Sequence, residues 1–460
     1  MLFGVFAFAA TVAASPLAEF AKRHPVSPGS PAGPYLSPFH PELIKKRSSA
    51  TLQRTNKVLS LTRKESKSGS RLLRAARAEN ASCVDGDYGI AELSTTEEGQ
   101  ILITSVQVGD ESYEAVVDTG SSDTWVVRTG FQCQNQLGGN ETEAYCKFGP
   151  SYNTSSTFTP IPDQNFKISY ADGEGLTGIM GYEKVTLGGI TVYNQTIGVV
   201  DTAAWKGDGS TSGLIGLAYP ALTSAYNGTN VTADTRASKV EYSPIFTSMY
   251  SQGSVESLFT LTLERGNGNS TLALGGLPPA EPGYENLTFT SVDIEIKQLN
   301  PGQNSEYKTH NSYYTITPQG FQYRNASLIS GILPTRETMN TTYPTIVDSG
   351  TSLIYLPQAQ VQYINSAFST PSVYDEEYGY DTIPCNATAP EFGVVIGGNT
   401  FPINAEDMIL DLGLEDGMCV SGVQNGGGAV NILGDVFLRN VIAVFDVGSA
   451  QMHFAPHAYY

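Results

Sequence analysis

The chain contains the stretch Val116-Val117-Asp118-Thr119-Gly120-Ser121-Ser122 and, 230 residues further on, a second version, Ile346-Val347-Asp348-Ser349-Gly350-Thr351-Ser352. In each, a β-branched apolar run ends in Asp, followed by a hydroxyl residue, Gly and two more hydroxyl residues. The apolar run predicts a buried strand, and Gly permits a tight turn that a side chain would block. One such loop is an ordinary turn. Two copies with matching flanks indicate a duplicated unit with a shared role.

The two repeated aspartates predict carboxylate chemistry. Two carboxylates that a two-fold arrangement brings together cannot both ionise easily, so the pair shares one proton. The ionised member can then activate a water as general base, while the protonated member polarises a carbonyl. This chemistry hydrolyses a peptide bond without a metal or a covalent intermediate.

These residues resemble the pepsin-like aspartic proteases, and the resemblance runs over residues 85–460. It implies an all-β, bilobal fold: two pseudo-symmetric, barrel-like lobes with the active-site cleft between them. Asp118 and Asp348 match the two catalytic aspartates of that family. The resemblance implies further that the neighbouring residues support this pair: Thr119 and Ser349 tie the two loops together, and Ser121 and Thr351 hydrogen-bond the aspartates, beside Gly120 and Gly350.

A second repeated pair, Leu214-Ile215-Gly216 and Ile432-Leu433-Gly434, matches the family strands that run beside each aspartate loop. The separation of the two aspartates is longer than we expect for the family. We therefore expect insertions near residues 130–150, 219–243 and 295–312.

The stretch 168–178 matches the family's flap, a β-hairpin whose tip closes over bound peptide. Tyr170 would hang over the cleft, and Trp125 matches the tryptophan that supports it. The sequence departs from the family at Ala171, where Gly is usual, just before Asp172 and Gly173. Because Asp172 and the nearby Glu174 make the tip acidic, we expect Lys beside the scissile bond to be accepted as well as large apolar residues. Solvated flap charges without a role in selectivity are the alternative.

The composition and charge of the chain are typical of a secreted, all-β protein. Its 460 residues suit two lobes plus processed segments, and abundant Gly with only 15% charged residues favours a turn-rich, all-β secreted protein. Residues 1–80 carry 13 basic and 4 acidic side chains, whereas residues 81–460 carry 13 and 41. A mature part this acidic is not expected to bind nucleic acid, and it repels itself least at low pH. The best helical pattern runs from Gln358 to Phe368.

The segments at the start of the chain predict that the protein is processed by removal of a signal peptide and a propeptide. Residues 1–14 read as a signal peptide, and no membrane anchor is expected. Residues 15–80 read as a basic propeptide that covers the acidic cleft as an intramolecular inhibitor and ends between residues 77 and 88; a disordered linker is the alternative. Lys46-Arg47 and the Arg77 region are both candidate cleavage points. The N-terminal lobe would then span 88–283 and the C-terminal lobe 284–460.

Cysteines and glycosylation sequons support an extracellular protein. Cys133–Cys146 and Cys385–Cys419 suit two small loops that are consistent with family disulfides, and Cys83 is left over. No zinc site, metal or cofactor is expected. Candidate N-glycosylation sites occur at Asn80, Asn140, Asn153, Asn194, Asn227, Asn230, Asn269, Asn286, Asn325, Asn340 and Asn386.

The sequence therefore predicts a secreted acid endopeptidase, with the vacuole as the alternative residence. We expect a monomer that cleaves protein or peptide substrates and is inhibited by pepstatin-like compounds. The alternative is a catalytically inactive pepsin-like binding or inhibitory glycoprotein, which the Ala171 change favours. A serine hydrolase would need a Gly-x-Ser-x-Gly elbow, which the sequence lacks. A phosphoaspartyl enzyme would not need the aspartate loop twice.

Overall fold

The computed structural model describes residues 52–53, 55, 57–62, 101–170, 173–265, 269–279, 287–295, 311–324, 337–339, 342–376, 378–427 and 431–457. Several sequence predictions lie outside these residues. They are the signal peptide, most of the propeptide, Cys83, Ala171, Asp172, most of the 295–312 insertion, and the sequons at Asn80, Asn286, Asn325 and Asn340.

Strands dominate the described chain, as the short apolar runs between Gly and Asn turns predict. The first thirteen are β1 Val58–Thr62, β2 Ile103–Val108, β3 Glu111–Asp118, β4 Thr124–Gln134, β5 Asn140–Glu141, β6 Thr159–Ser169, β7 Gly175–Leu187, β8 Ile190–Ala204, β9 Thr211–Gly216, β10 Ala225–Asn227, β11 Lys239–Val240, β12 Leu258–Thr262 and β13 Asn269–Leu274.

The remaining strands belong to the second half of the chain. They are β14 Thr290–Asp293, β15 Thr315–Ile316, β16 Gly320–Arg324, β17 Glu337–Met339, β18 Thr345–Val347, β19 Ile354–Leu356, β20 Val373–Asp375, β21 Tyr380–Pro384, β22 Glu391–Ile396, β23 Asn399–Ile403, β24 Ile409–Leu410, β25 Met418–Ser421, β26 Val423–Asn425, β27 Asn431–Leu433, β28 Val441–Asp446 and β29 Gln451–Pro456.

Helices are short. The α-helices are α1 Glu143–Cys146, α2 Ile245–Ser251, α3 Gln358–Ser366 and α4 Asp435–Leu438, and 3-10 turns cover Pro220–Leu222, Val231–Ala233, Arg236–Ser238, Ala405–Met408 and Glu415–Gly417. Helix α3 follows Pro357, as the sequence predicted, but ends at Ser366 rather than at Phe368. None of the helices in the described ranges is both long and apolar enough to cross a membrane.

The first half of the chain forms a closed barrel. Strands β7, β2, β3, β9, β4 and β8 follow one another around a ring, because β8 pairs with both β4 and β7. Strands β6, β10 and β11 continue this sheet outward from β7. A cluster of fully buried side chains, including Trp125, Phe166 and Met180, fills the space beneath the flap hairpin of β6 and β7.

The second half of the chain folds into three smaller sheets, and a further sheet joins the two halves. The smaller sheets have the orders β15-β18-β27-β19-β26, β17-β16-β22-β23 and β20-β21-β25-β24. The joining sheet has the order β1-β13-β12-β28-β29-β14, and the two halves meet at its centre, where β12 pairs with β28. Arg265, which follows β12, donates from Nε to Oδ1 of Asp407 at 2.9 Å and adds a partly buried ionic contact between the halves. The all-β, two-lobed architecture predicted from the sequence is confirmed.

Candidate active site

The two aspartate loops occupy equivalent places in the two halves. Asp118 ends β3, whose parallel neighbour is β9, and β9 in turn pairs antiparallel with β4. Asp348 follows β18, whose parallel neighbour is β27, and β27 pairs antiparallel with β19. The tripeptides at 214–216 and 432–434 therefore lie beside the aspartate loops, as the resemblance implied.

Thr119 and Ser349 bind each other's backbone. The amide of Ser349 donates to Oγ1 of Thr119 at 2.9 Å, and the amide of Thr119 donates to Oγ of Ser349 at 3.1 Å. Each hydroxyl then donates onward, Thr119 to the carbonyl of Val347 at 3.2 Å and Ser349 to that of Val117 at 3.1 Å. Both residues are buried, so the two loops are locked together in a symmetric arrangement.

Each aspartate accepts hydrogen bonds from an equivalent pair of donors in its own loop. Oδ1 of Asp118 accepts from the amide of Gly120 at 2.7 Å, and Oδ2 accepts from the hydroxyl of Ser121. Oδ1 of Asp348 accepts from the amide of Gly350 at 2.8 Å, and Oδ2 accepts from the hydroxyl of Thr351 at 2.7 Å. These bonds fix the orientation of both carboxyl groups.

The glycines of the loops allow the two carboxyl groups to meet. A Cβ on Gly120 would lie 2.5 Å from Oδ1 of Asp348, and a Cβ on Gly350 would lie 2.5 Å from Oδ1 of Asp118. Burial, and secondarily the charge of Asp348, raise the pKa of Asp118 well above its usual range. The structure thus brings together all eight dyad residues that the sequence singled out.

Tyr170 lies where the flap meets the cleft. Nε1 of Trp125 donates to the Tyr170 hydroxyl at 2.8 Å, and the hairpin closes through the amide of Tyr170, which donates to the carbonyl of Glu174 at 2.8 Å. Gly173 adopts φ +93°, a conformation that favours glycine in this turn. Ala171 and Asp172 lie outside the described residues. The Glu174 carboxylate is buried and accepts from the amide of Lys206 at 2.6 Å, so it is not the solvated flap charge of the alternative interpretation.

Two aromatic residues beside the flap, Trp205 and Phe148, were not predicted from the sequence. The ring of Trp205 lies 5.2 Å from that of Trp125 and 5.7 Å from that of Tyr170, and Phe148 stacks on it at 5.8 Å. These contacts hold the flap tyrosine and its supporting tryptophan on an aromatic base. Trp205 is one of two tryptophans in the chain, and its rarity was the one signal that could have identified it.

The aspartate loops form the floor of a cleft of about 910 Å³. Both aspartates, Tyr170 and Trp205 line it together with apolar side chains from both halves, among them Leu214, Tyr313, Ile346 and Ile432. The long cleft with a polar floor and apolar walls suits an extended chain whose backbone is hydrogen-bonded and whose side chains enter apolar pockets.

Two disulfides are present at the positions expected from the resemblance. Cys133–Cys146 joins β4 to α1, and Cys385–Cys419 joins the end of β21 to β25. The sequon asparagines whose exposure the structure describes all lie at the surface: Asn140, Asn153, Asn194, Asn227, Asn230 and Asn386. Asn269 begins β13.

The family of the chain follows from comparison with known proteins. The family model "Eukaryotic aspartyl protease" matches residues 102–457, which contain both aspartate loops, the flap and both disulfides. The chain therefore belongs to the eukaryotic aspartyl protease family, and it is an aspartic-type endopeptidase.

Relatives from fungi and animals agree with this assignment. A probable aspartic-type endopeptidase of Aspergillus fumigatus is 42% identical over 384 residues, covering 80% of this chain and 82% of that protein. Gastricsin of Oryctolagus cuniculus is 28% identical, covering 81% of this chain and 86% of its own. The crystal structure of an aspartic proteinase from Irpex lacteus aligns with a TM-score of 0.59 at 20% identity, covering 81% of this chain and 97% of that chain, and so shares the fold.

Proposed function

We propose that Asp118 and Asp348 are the catalytic pair of this endopeptidase. The observation that carries the proposal is the close approach of the two loops. The glycine of each loop lies against the carboxyl group of the other, so close that an added Cβ would be 2.5 Å from a carboxyl oxygen. No other arrangement in the described cleft places two carboxyl groups on a symmetric floor beneath a tyrosine.

The pair would act through a shared proton. The ionised carboxyl group takes a proton from a water bound between the two, and that water attacks the peptide carbonyl while the protonated carboxyl group donates to the carbonyl oxygen. The resulting tetrahedral species collapses as the leaving nitrogen receives a proton, which releases an amine and a carboxylic acid. Because the two groups titrate as a pair, the proton belongs to both.

The substrate would lie extended between the flap and the floor. The apolar side chains along the cleft, including Leu214, Trp205 and Ile432, favour large apolar residues next to the scissile bond. The two flap carboxylates, Asp172 and Glu174, would let Lys be accepted beside the scissile bond. Because the Glu174 carboxylate also accepts from the amide of Lys206, Asp172 is the residue to substitute. If Asp172→Asn left the ratio of Lys to Phe cleavage unchanged, this part of the proposal would fail.

A zymogen is supported by strand β1, which lies within the predicted propeptide. It pairs with β13 along its whole length, from Val58 opposite Ala273 to Thr62 opposite Asn269. The ammonium of Lys57 donates to the carbonyl of Ser254, and the amide of Thr55 donates to the carbonyl of Leu277 at 2.8 Å. The segment is thus an edge strand of the joining sheet. Its removal at acidic pH, after secretion or delivery to the vacuole, would release the mature two-lobed enzyme with its domains at 88–283 and 284–460.

The test is cleavage of a denatured protein at about pH 3.5, inside the acidic range known for such pairs, with and without pepstatin. Wild-type enzyme and Asp118→Asn are compared after the mass of each confirms propeptide removal. We expect pepstatin and the substitution each to abolish cleavage. Full activity of the variant would overturn the catalytic assignment, and a processed wild-type protein without activity would favour a binding protein of this fold.

A further inference from the structure

We propose that residues 224–242, together with Lys167 of the neighbouring strand β6, form a cationic subsite at one end of the cleft, which selects substrates with an acidic side chain at that position. The inference rests on the proposed catalytic pair, since a subsite is defined relative to the bond that is cleaved. This part of the cleft wall is built by strands β10 and β11 and the adjoining strand β6 rather than by the flap tip or the aspartate loops.

The position of this wall follows from the strand order. Strand β10 pairs with β6, Ala225 lying opposite Phe166, and β11 pairs with β10 through Ala225 and Val240. The flap hairpin therefore has this wall on its β6 side. Its β7 side pairs with β8, the end of which leads to Trp205. Residues 224–242 thus extend the cleft at the end opposite to Trp205.

Three basic side chains line this end of the cleft, two from the wall and one from β6. Lys167, Arg236 and Lys239 all line the cleft. Nζ of Lys167 donates to the carbonyl of Val231 at 2.9 Å, and Nζ of Lys239 donates to the carbonyl of Ala221 at 3.1 Å. An ammonium group has three donors, so each lysine is oriented by one backbone carbonyl and keeps donor capacity for a ligand. The carbonyl groups of Val231 and Ala221 therefore fix the positions of the two ammonium groups.

One acidic residue lines this end of the cleft beside the three basic ones, and two more lie behind or beyond the wall. Asp234 lines the same end of the cleft, and its Oδ1 accepts from Nδ2 of Asn165 at 3.0 Å. Asp123 lies buried behind the wall, and Glu241 is exposed beyond it. Tyr226 also lines this end. Burial lowers the pKa of Lys239, and the charges of Asp123 and Glu241 oppose that change. Three basic side chains and one acidic side chain thus line this end of the cleft, in a part of the chain, residues 81–460, that carries 41 acidic and 13 basic side chains.

Hydrogen bonds to the floor of the active site hold the wall in place. Oδ1 of Asp123 accepts from the amide of Ser224 at 2.8 Å and from the hydroxyl of Tyr242 at 2.5 Å. These two residues bound the wall at its first and last positions, and Asp123 is five residues from Asp118. The wall is therefore positioned from the same loop as the proposed catalytic carboxyl group, which is the arrangement a preformed subsite requires.

A carboxylate at this end of the cleft would gain charge-assisted hydrogen bonds that its amide counterpart lacks. We expect a Glu side chain to raise kcat/KM over Gln by roughly tenfold to a hundredfold at one position, the size of one hydrogen bond to a charged group. Since a Glu side chain titrates near about pH 4.3, the preference should be present at pH 5.5 and decline towards pH 3.

The experiment uses processed full-length enzyme and a set of peptides with a Phe-Phe scissile bond. Glu and Gln are compared at each of three positions on either side of the bond, and both kcat/KM and Kd are measured for each pair. The variants are Lys167→Gln, Lys239→Gln and the double substitution. Lys206→Gln is the matched control, because Lys206 lines the opposite end of the cleft.

We expect one position to prefer Glu, the double variant to bring the Glu-to-Gln ratio close to one, and Lys206→Gln to retain the wild-type ratio. Equal values for Glu and Gln at every position in the wild-type enzyme would overturn the proposal, and so would a wild-type ratio in the double variant. The wild-type comparison decides the matter even if a variant does not fold. A failure of the proposed catalytic pair is distinguishable: no peptide is cleaved, while the Kd ratio still reports the subsite.

Discussion

The hydroxyl oxygen of Thr119 accepts the amide proton of Ser349 at 2.9 Å while the hydroxyl oxygen of Ser349 accepts the amide proton of Thr119 at 3.1 Å. Two residues 230 positions apart thus complete each other's backbone hydrogen bonding. Both are buried, so water cannot replace either bond. The exchange sets the distance between the two aspartate loops and explains why both loops need a hydroxyl residue directly after Asp.

Replacing Thr119 with Val should destabilise the protein and separate the loops. The substitution leaves the amide of Ser349 without its acceptor and the carbonyl of Val347 without its donor, which we expect to cost roughly 2–4 kcal/mol in the free energy of unfolding. Thr119→Ser keeps the hydroxyl and should cost less than about 1 kcal/mol. Denaturant unfolding of both variants measures this. Equal stabilities of the two would show that the hydroxyl is not the stabilising group.

The hydrogen bond from Trp125 to Tyr170 should couple the two residues in catalysis. Trp125→Phe and Tyr170→Phe each remove the bond of 2.8 Å, so each should lower kcat/KM, and the double variant should lose less than the product of the two losses. We expect a coupling energy of about 1 kcal/mol. The coupling energy is measured with a double-mutant cycle, from kcat/KM of wild type and the three variants on one apolar peptide. Losses that multiply without coupling would show that the bond does not position the flap.

The carboxyl group of Asp118 should make stability depend on pH. Because burial raises its pKa in the folded state, the folded protein binds this proton more tightly than the unfolded chain, whose aspartates titrate near about pH 3.9. Its contribution to stability is therefore complete below that value and is lost as pH rises through the folded pKa. Asp118→Asn removes this loss, so the variant should gain stability over wild type between pH 4 and 7. Melting temperatures of wild type and variant across this pH range test whether the variant is the more stable protein. A variant that gains stability only below pH 4 would contradict it.

Docking of the segment around β1 should depend on Gly276. A Cβ at this position would lie 2.4 Å from the carbonyl oxygen of Gln53 and 3.0 Å from Cβ of Thr55. Gly276→Ala should therefore loosen the proposed propeptide strand, and the precursor should convert to the mature form several-fold faster at mildly acidic pH. Gel analysis of processing over time measures the rate.

The control for this prediction is the processed enzyme, in which the segment is gone. Its kcat/KM should be the same with and without the substitution. Conversion of the Gly276→Ala precursor at the wild-type rate would show that the close packing of residues 53–55 on Gly276 does not retain the segment.

The local sequence pattern was sufficient to predict the strands that lead into the two aspartate loops. The apolar runs before Asp118 and Asp348 predicted buried strands, and the repeat predicted two equivalent lobes, which the fold confirms. The cysteine spacing and the helix after Pro357 also correspond to the structure. These features succeed because the information lies within a few neighbouring residues. The catalytic roles of the site residues stay predictions.

Contacts between distant segments could not be read from the sequence. Trp205 reaches Tyr170 because β8 ends beside the base of the flap, and no local pattern encodes that pairing. An insertion near residues 219–243 stays a prediction, and the pairing of this stretch with β6 and its attachment to Asp123 depend on a register set by tertiary packing. Glu174 looked like a solvated flap charge, whereas the fold directs it to the amide of Lys206.

The most direct test of the account is whether Asp118 and Asp348 act as one unit. It compares kcat/KM of processed wild type with Asp118→Ala, Asp348→Ala and the double variant on one peptide, since Ala excludes the recovery of Asp by deamidation that an Asn variant allows. We predict that each single substitution lowers kcat/KM by roughly 10⁴-fold or more and that the double variant is no less active than either single one. Retention of activity within tenfold of wild type in either single variant, or losses that multiply in the double variant, would contradict the shared-proton pair.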